Sequence, residues 1–428
     1  MVGGEIRRGE VLMEQSEVVS QPDKRERIRL IVVLGLLIAI GPLTIDMYLP
    51  ALPSITTDLA TTASAVQLTL TGTLAGLALG QLFIGPLSDA VGRRIPLIAG
   101  LVLHVVASLL CVVAPNIETL GALRILQGLG TAASSVVASA VVRDKFSGTL
   151  AAKVFSRLIL VMGAAPILAP TLGSQVLRLT QWRGIFVVLA LFGVALIALA
   201  VVMLPETLPA NRRRRLGLVP TLVTYGSLLR DRVFVGMIFV AGLAMAAIFA
   251  YVSGSSFVFQ GQYGLDEQEF GLIFGAGAAG LIAATQLNVR LLSRYTPQQI
   301  LLVGLSGGTA AGLALVFFAA TGIGGMPTVV ISLWFVLAGA GLALPNAPAI
   351  ALTRHGEAAG TASAMMGAVQ FGVGAIAAPL VGAIGTGGAA MAVVVAGGMI
   401  LALATLLIVV RPSRIAVLDA APLPAPAH

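Results

Sequence analysis

Residues 80–94 read Gly80-Gln-Leu-Phe-Ile-Gly85-Pro86-Leu-Ser-Asp89-Ala-Val-Gly92-Arg93-Arg94. An apolar run breaks off at Gly85-Pro86, is followed at once by Asp89, Gly92, Arg93 and Arg94, and gives way to a second apolar run from Ile95. Two membrane spans joined by so short and so charged a link form an antiparallel hairpin. Short links bearing Lys or Arg stay on the cytoplasmic side. The stretch therefore predicts a membrane hairpin and its sidedness together.

The rest of the chain agrees. Of 428 residues, 57% are hydrophobic and only 10% charged, against roughly 25% charged in a soluble domain. Mean hydropathy is +1.00. A span needs about 20 apolar residues, and the sequence predicts twelve such runs. Their limits are 30–49, 64–85, 95–114, 119–141, 154–177, 184–204, 233–257, 269–289, 299–320, 326–348, 361–384 and 388–410. The expected fold is an all-α membrane protein with twelve transmembrane helices in two pseudo-symmetric six-helix bundles. Residues 28–204 form the first bundle, 205–232 a cytoplasmic linker and 233–410 the second. Residues 1–27 and 411–428 are cytoplasmic tails, disordered over 1–27 and in the Pro/Ala segment after Arg414.

Net charge is +8, which in a soluble protein would suggest nucleic acid. Its distribution has another explanation. With the N-terminus inside, 23 of the 26 Lys and Arg residues fall on the inner side. They sit in the N-terminal segment, in the links 2–3, 4–5 and 8–9, in the linker with its run Arg212 to Arg215, and at Arg354, Arg411 and Arg414. Arg178 and Arg183 lie outside, with Asp58, Glu118, Asp266, Glu267 and Glu269. So one-sided a pattern predicts both termini in the cytoplasm and excludes a basic nucleic-acid face. The first apolar run is too long for a signal-peptide core and is read as a retained span. The lone cysteine, Cys111, excludes an internal disulfide. His104, His355 and His428 are isolated, so no metal site is expected.

The halves resemble each other. Gln286-Leu-Asn288-Val-Arg290-Leu-Leu-Ser-Arg294 occupies in the second half the place of Gly85 to Arg94 in the first. Gly163, Pro166, Pro170 and Gly173 in the fifth span match a similar Gly/Pro set in the eleventh. Half repeats with discontinuous helices suit an alternating-access transporter, although small residues also allow close helix packing.

Ionisable residues inside spans are costly and usually functional, and two occur: Asp46 in the first span and Arg124 in the fourth. At 1.5 Å per residue, Asp46 lies roughly 24 Å from the inner end of its span. Arg124 lies roughly 8 Å from the outer end of its own, or about 22 Å from the inner face of a 30 Å core. The two reach the same level. An apolar setting favours pairing them or neutralising the Asp.

These residues carry a resemblance. Gly85-x-x-x-Asp89-x-x-Gly92-Arg93-Arg94 resembles the 2–3 loop of the major facilitator superfamily. Asp46-Met-Tyr48-Leu-Pro-Ala-Leu-Pro53 is similar to the first-span motif of its Bcr/CflA (bicyclomycin/chloramphenicol-resistance) drug:proton antiporters. Arg124-Ile-Leu-Gln127-Gly128-Leu-Gly130 resembles the superfamily's fourth-span motif, and Gly163 to Gly173 its antiporter motif. Gln181-Trp182-Arg183-Gly-Ile-Phe186 resembles the entrance to the sixth span. The resemblance implies proton-coupled export of small drug-like molecules across the bacterial inner membrane. It implies Asp46 and Arg124 as coupling residues, Gly85, Asp89, Gly92, Arg93 and Arg94 as a conformational latch, and Gly163, Pro166, Pro170 and Gly173 as a helix-bending motif. In the latch Asp89 faces a helix N-terminus, and the arginines meet acidic groups or carbonyls. The expected partners are a small-molecule substrate, protons and the bilayer, with no nucleic acid and no cofactor, and the expected state is a monomer.

Unpaired amides are expensive in lipid, so Gln67, Gln127, Gln175, Asn346 and Gln370 are candidate pocket residues, with Tyr48 beside them. Aromatic residues of spans seven and eight (Phe249, Tyr251, Phe257, Phe259, Phe270, Phe274) suit packing or lipid contact better than pocket lining. A nutrient importer is the alternative function. A channel would show rings of polar residues and a membrane enzyme clustered His, Asp or Ser within spans, and the sequence has neither.

Overall fold

The computed structural model describes residues 24–146, 148–213, 218–355 and 358–411. Among them twelve helices are long and apolar enough to cross a membrane. Helices are what lipid selects, because each satisfies its own backbone hydrogen bonds. Span 1 is Lys24–Asp46, extended by a 3-10 turn at Leu49–Ala51 and a short helix Leu52–Asp58. Spans 2 to 6 are Ala63–Val91, Arg94–Val112, Ile117–Lys145, Gly148–Leu179 and Arg183–Met203. A linker helix, Leu218–Leu228, follows. Span 7 is Arg232–Ser256, continued by a π-helical turn Phe257–Gln262. Spans 8 to 11 are Glu267–Leu291, Pro297–Thr321, Gly325–Thr353 and Ala359–Ile384. Span 12 is Gly388–Ala404 with a π-helical end Thr405–Val410.

Several helices overrun the apolar stretches that announce them. Asn116 accepts from the N–H of Thr119, and Asp266 and Thr296 form capping boxes with Glu269 and Gln299. Polar caps start a helix outside the hydrocarbon, so apolar length alone places these starts two residues late. Lys24 to Arg27, expected in a disordered tail, already belong to the helix of span 1. The expectations for residues 1–23, for the tail after Arg414 and for Arg214 and Arg215 lie outside the described residues.

The break expected at Gly85-Pro86 is absent, and span 2 continues to Val91 with Pro86 inside it. Proline removes the N–H that would bond the carbonyl four residues back. That carbonyl, of Leu82, receives the Tyr225 hydroxyl of the linker helix at 3.3 Å. Span 10 repeats the device: the Gly341 carbonyl, four residues before Pro345, accepts from Thr285 Oγ1 of span 8 at 3.2 Å. Spans 5 and 11 are also unbroken, the former running through Pro166 and Pro170. The interruption lies in span 1, directly after Asp46, where Pro50 follows within one turn.

Twelve spans put the two ends of the described chain, Lys24 and Arg411, and the linker on one face. Spans 1–6 and 7–12 meet mainly where span 2 packs on span 11 and span 5 on span 8. Among the described residues, two hydrogen bonds join spans of different halves. Gln67 donates to the Ser253 carbonyl at 3.1 Å, and Gln260 to the Pro50 carbonyl at 3.2 Å. Both lie near the face away from the chain ends, so the halves are fastened there.

Candidate coupling site and loop network

Arg124 and Asp46 reach the same depth but do not pair. Arg124 is fully buried. Its Nη1 donates to the Thr44 carbonyl at 3.0 Å and to Gln127 Oε1 at 2.6 Å, and its guanidinium lies over the Tyr48 ring at 4.5 Å. Its Nε and Nη2 have no partner among the described residues. The reason is helical phase. Thr44 and Tyr48 are four residues apart and share one face, whereas Asp46 is two residues from each and points to the opposite one. Asp46 is 6% exposed and forms no hydrogen bond or ion pair among the described residues. Spans 7 and 8 of the second half pack on the 3-10 turn Leu49–Ala51 that follows it.

The buried polar network around Arg124 belongs to the first half. Gln127 Nε2 donates to Ser108 Oγ at 2.8 Å, and the Tyr48 hydroxyl meets Thr69 Oγ1 at 2.9 Å. His104 Nδ1 lies 2.9 Å from Thr131 Oγ1. Tyr48 and Gln127 are thus wholly buried in this network and line no cavity, unlike the expectation for them. Phe186, 5.6 Å from Tyr48 between ring centroids, closes that side.

The other candidate pocket residues separate as well. Gln67 is a tie between halves, as described above. Asn346 is buried and donates to Asn288 Oδ1 of span 8 at 2.6 Å, so it is a packing amide. Gln175 sits on an exposed face beside Arg178 and cannot line a central cavity. Gln370 is half-buried, with no hydrogen-bond partner among the described residues, and keeps its candidacy. Of the aromatic group, Phe249, Tyr251, Phe259, Phe270 and Phe274 are buried, which makes packing their common role and removes them from lipid.

The fifth-span motif packs on two partners. A Cβ at Gly173 would collide with the Met47 carbonyl, directly after Asp46, and one at Gly163 would press on Ile282 of span 8. The small residues therefore hold span 5 against the interruption of span 1 and against the other half.

At the 2–3 link, Arg93 is almost buried and forks to three groups. Nη1 bonds Asp89 and Ser88, while Nε reaches Asp144 Oδ2 at 2.9 Å at the end of span 4. Arg94 donates to the Val201 carbonyl. The arginines therefore meet acidic groups and a carbonyl, but Asp89 does not face the helix N-terminus. Glu206 holds that position, accepting the backbone N–H of Arg93 at 2.9 Å and of Arg94 at 3.2 Å. Burial alone would raise its pKa; the N–H groups of Leu208, Arg93, Arg94 and Thr207 outweigh this and hold it below the ordinary carboxylate value. Gly92 has φ +100°, and a Cβ there would run into the Glu206 carboxylate. Gly85, by contrast, has open space around it. The segment Pro205-Glu206-Thr207 was the available signal for this carboxylate, but nothing local says where it docks.

The second half lacks this construction. Arg290 and Arg294 are exposed and form no ion pair among the described residues. Instead Asp231 accepts from Arg354 Nε at 3.1 Å, faces His355 Nε2 at 3.0 Å, and caps span 7 through the N–H of Val233. Burial pushes the Asp231 pKa up, but these partners hold it below its ordinary value.

Comparison with known proteins agrees with this architecture. The pattern of the Major Facilitator Superfamily matches residues 34–379. The chain is 39% identical over 366 residues to the "Uncharacterized MFS-type transporter YdgK" of Bacillus subtilis (strain 168), covering 85% of this chain and 90% of the relative. It is 33% identical to the bicyclomycin resistance protein homolog of Haemophilus influenzae, with 81% and 87% covered. The partially occluded inward-open xylose transporter XylE of E. coli superposes with a TM-score of 0.71 at 13% identity, over 90% of this chain and 97% of that one.

Proposed function

We propose, for a chain that belongs to the major facilitator superfamily and to its group of bicyclomycin-resistance relatives, that it exports small drug-like molecules in exchange for protons. Membership makes it a multi-pass transporter of small molecules and not an enzyme. The remainder is our reading: alternating access in the bacterial inner membrane, both termini cytoplasmic, a monomer needing no cofactor beyond the proton gradient.

The observation that carries the reading is Asp46. It is a carboxylate inside a span, held by no cation among the described residues, at the point where its helix is interrupted and next to the turn on which spans 7 and 8 pack. A carboxylate neutralised by Arg124 would have little reason to take up a proton; one left alone in an apolar setting does. The halves are tied on the face away from the chain ends, which supports a state open toward the chain ends. With the basic links inside, that state receives substrate from the cytoplasm. Protonation from the outer side and release inward then exchange one proton-bound state for one substrate-bound state.

Everted membrane vesicles with an imposed pH gradient test this, with chloramphenicol and bicyclomycin as probes. The wild type is expected to accumulate at least one of them, and Asp46→Asn, correctly inserted, to accumulate neither. Wild-type rates in Asp46→Asn would remove Asp46 from coupling. Gradient-driven uptake into intact cells would favour import.

A further inference from the structure

Gln67 joins three spans on the face away from the chain ends. It sits in the second turn of span 2 and is fully buried. Its Nε2 donates to the Ser253 carbonyl of span 7 at 3.1 Å. Span 7 passes from α- to π-helix there, and the N–H of Phe257, four residues on, turns to the Gly254 carbonyl instead. The Ser253 carbonyl has thus lost its α-helical donor, and a side chain of the other half supplies one. The Ser253 hydroxyl in turn donates to the Ala378 carbonyl of span 11 at 2.9 Å. One turn further along span 11, Gly382 seats the other side of the amide. A Cβ there would collide with Gln67 Oε1 and lie 2.8 Å from the Ser64 Cα. The second of these is backbone, so turning the Gln67 side chain alone would not make room.

The same amide is only half satisfied. Its Oε1 is buried and has no hydrogen-bond partner among the described residues. An unmet buried acceptor costs about as much as a hydrogen bond contributes, and water would satisfy it once the halves part. The contact therefore holds without being strong. Its counterpart deeper in the membrane makes no tie. Gln81 of span 2 rests on Gly367 of span 11, where a Cβ would lie 3.0 Å from its Cδ, but it donates within its own half, to Ser135 Oγ at 3.4 Å. The other bond between halves, from Gln260 to the Pro50 carbonyl, is half-buried and shares its amide with Ser256.

We propose that Gln67, Ser253 and Gly382 form a clasp that keeps this face shut, and that undoing it is the step that opens the face. The proposal rests on the reading of alternating access. It makes the absence of a side chain at position 382 a determinant of the balance between states. A methyl group there denies Gln67 its seat when the halves are together and meets neither Gln67 nor Ser64 once they separate. A change that acts on one state and not the other shifts the population.

The test needs no known substrate. Double electron–electron resonance is measured on the full-length protein in a Cys111→Ser background. One pair of spin labels, at Thr57 and Thr386, spans the halves on the clasped face; a second, at Lys145 and Thr353, spans them at the chain-end face. The variants are Gln67→Ala, Gly382→Ala and the two combined. Each single variant is expected to raise the ratio of long to short Thr57–Thr386 distances about threefold or more, the order of one hydrogen bond. The Lys145–Thr353 distance is expected to shorten in step. Both substitutions act on one contact, so the combination should go no further than the larger single effect. Additive effects, or a lengthening on the clasped face with no shortening opposite, would assign these residues to independent packing and overturn the clasp. Two populations whose ratio no variant alters would overturn it too, and leave alternating access standing. A single distance for each label pair, the same in wild type and every variant, would overturn the clasp and alternating access together.

Discussion

Glu206 accepts the backbone N–H of Arg93 at 2.9 Å, joining the linker to the start of span 3 across 113 residues of chain. The same carboxylate takes the N–H of Arg94 and of Leu208, so it caps one helix and closes its own turn. An acidic group at a helix N-terminus is favoured both by the free N–H groups and by the helix dipole. The link that sequence singles out is thus held by a residue outside it.

Replacing Glu206 with Ala should destabilise the detergent-solubilised protein by ~1–2 kcal/mol, the range for losing a helix cap. Thermal unfolding checks it. Its folded pKa is depressed below the ordinary 4.5, so the stabilisation is full above the unfolded value and is lost as pH falls through the folded one. The advantage of wild type over Glu206→Gln should therefore be constant at neutral pH and shrink only below about 4.5. An advantage that fades between pH 8 and 6 would assign the effect to another group.

Asp144→Asn should cost more stability than Asp89→Asn. Both carboxylates hold Arg93, but the Asp144 side chain is 16% exposed and that of Asp89 44%. Water replaces a lost exposed partner more readily than a buried one. Unfolding midpoints of the two variants, compared in one detergent, decide the order; a larger loss for Asp89→Asn would contradict it.

Arg124→Lys should transport poorly while remaining inserted. The guanidinium bonds the Thr44 carbonyl and Gln127 and lies over the Tyr48 ring. An ammonium is a point donor and does not reproduce a planar contact with several groups. Drug uptake in vesicles normalised to protein level is the measurement, and full activity would reduce Arg124 to a placed charge.

Tyr225→Phe should loosen the linker helix without unfolding the spans. It removes the donor to the Leu82 carbonyl, which Pro86 has already deprived of its backbone N–H. Protease cleavage between Leu218 and Leu228 should become faster at unchanged spectroscopic helix content. Equal cleavage rates would show that the contact does not hold the linker.

What the sequence determined by itself is whatever lipid dictates locally. Apolar runs of span length must become helices, because no other backbone satisfies itself there, and so the twelve spans and their division around the linker were readable from composition. The depth of Asp46 and Arg124 was readable too, since rise per residue is fixed. Tertiary structure decided which way those side chains turn. The half-turn of phase between Thr44 and Asp46 turns the carboxylate away from Arg124, so of the two expectations, pairing and neutralisation, the pairing is not made. It also decided which partners satisfy displaced groups: Glu206 at the start of span 3, Tyr225 at the carbonyl freed by Pro86, Asp231 between Arg354 and His355. Such contacts join residues far apart in the chain, and a local pattern carries the need for a partner but not its address.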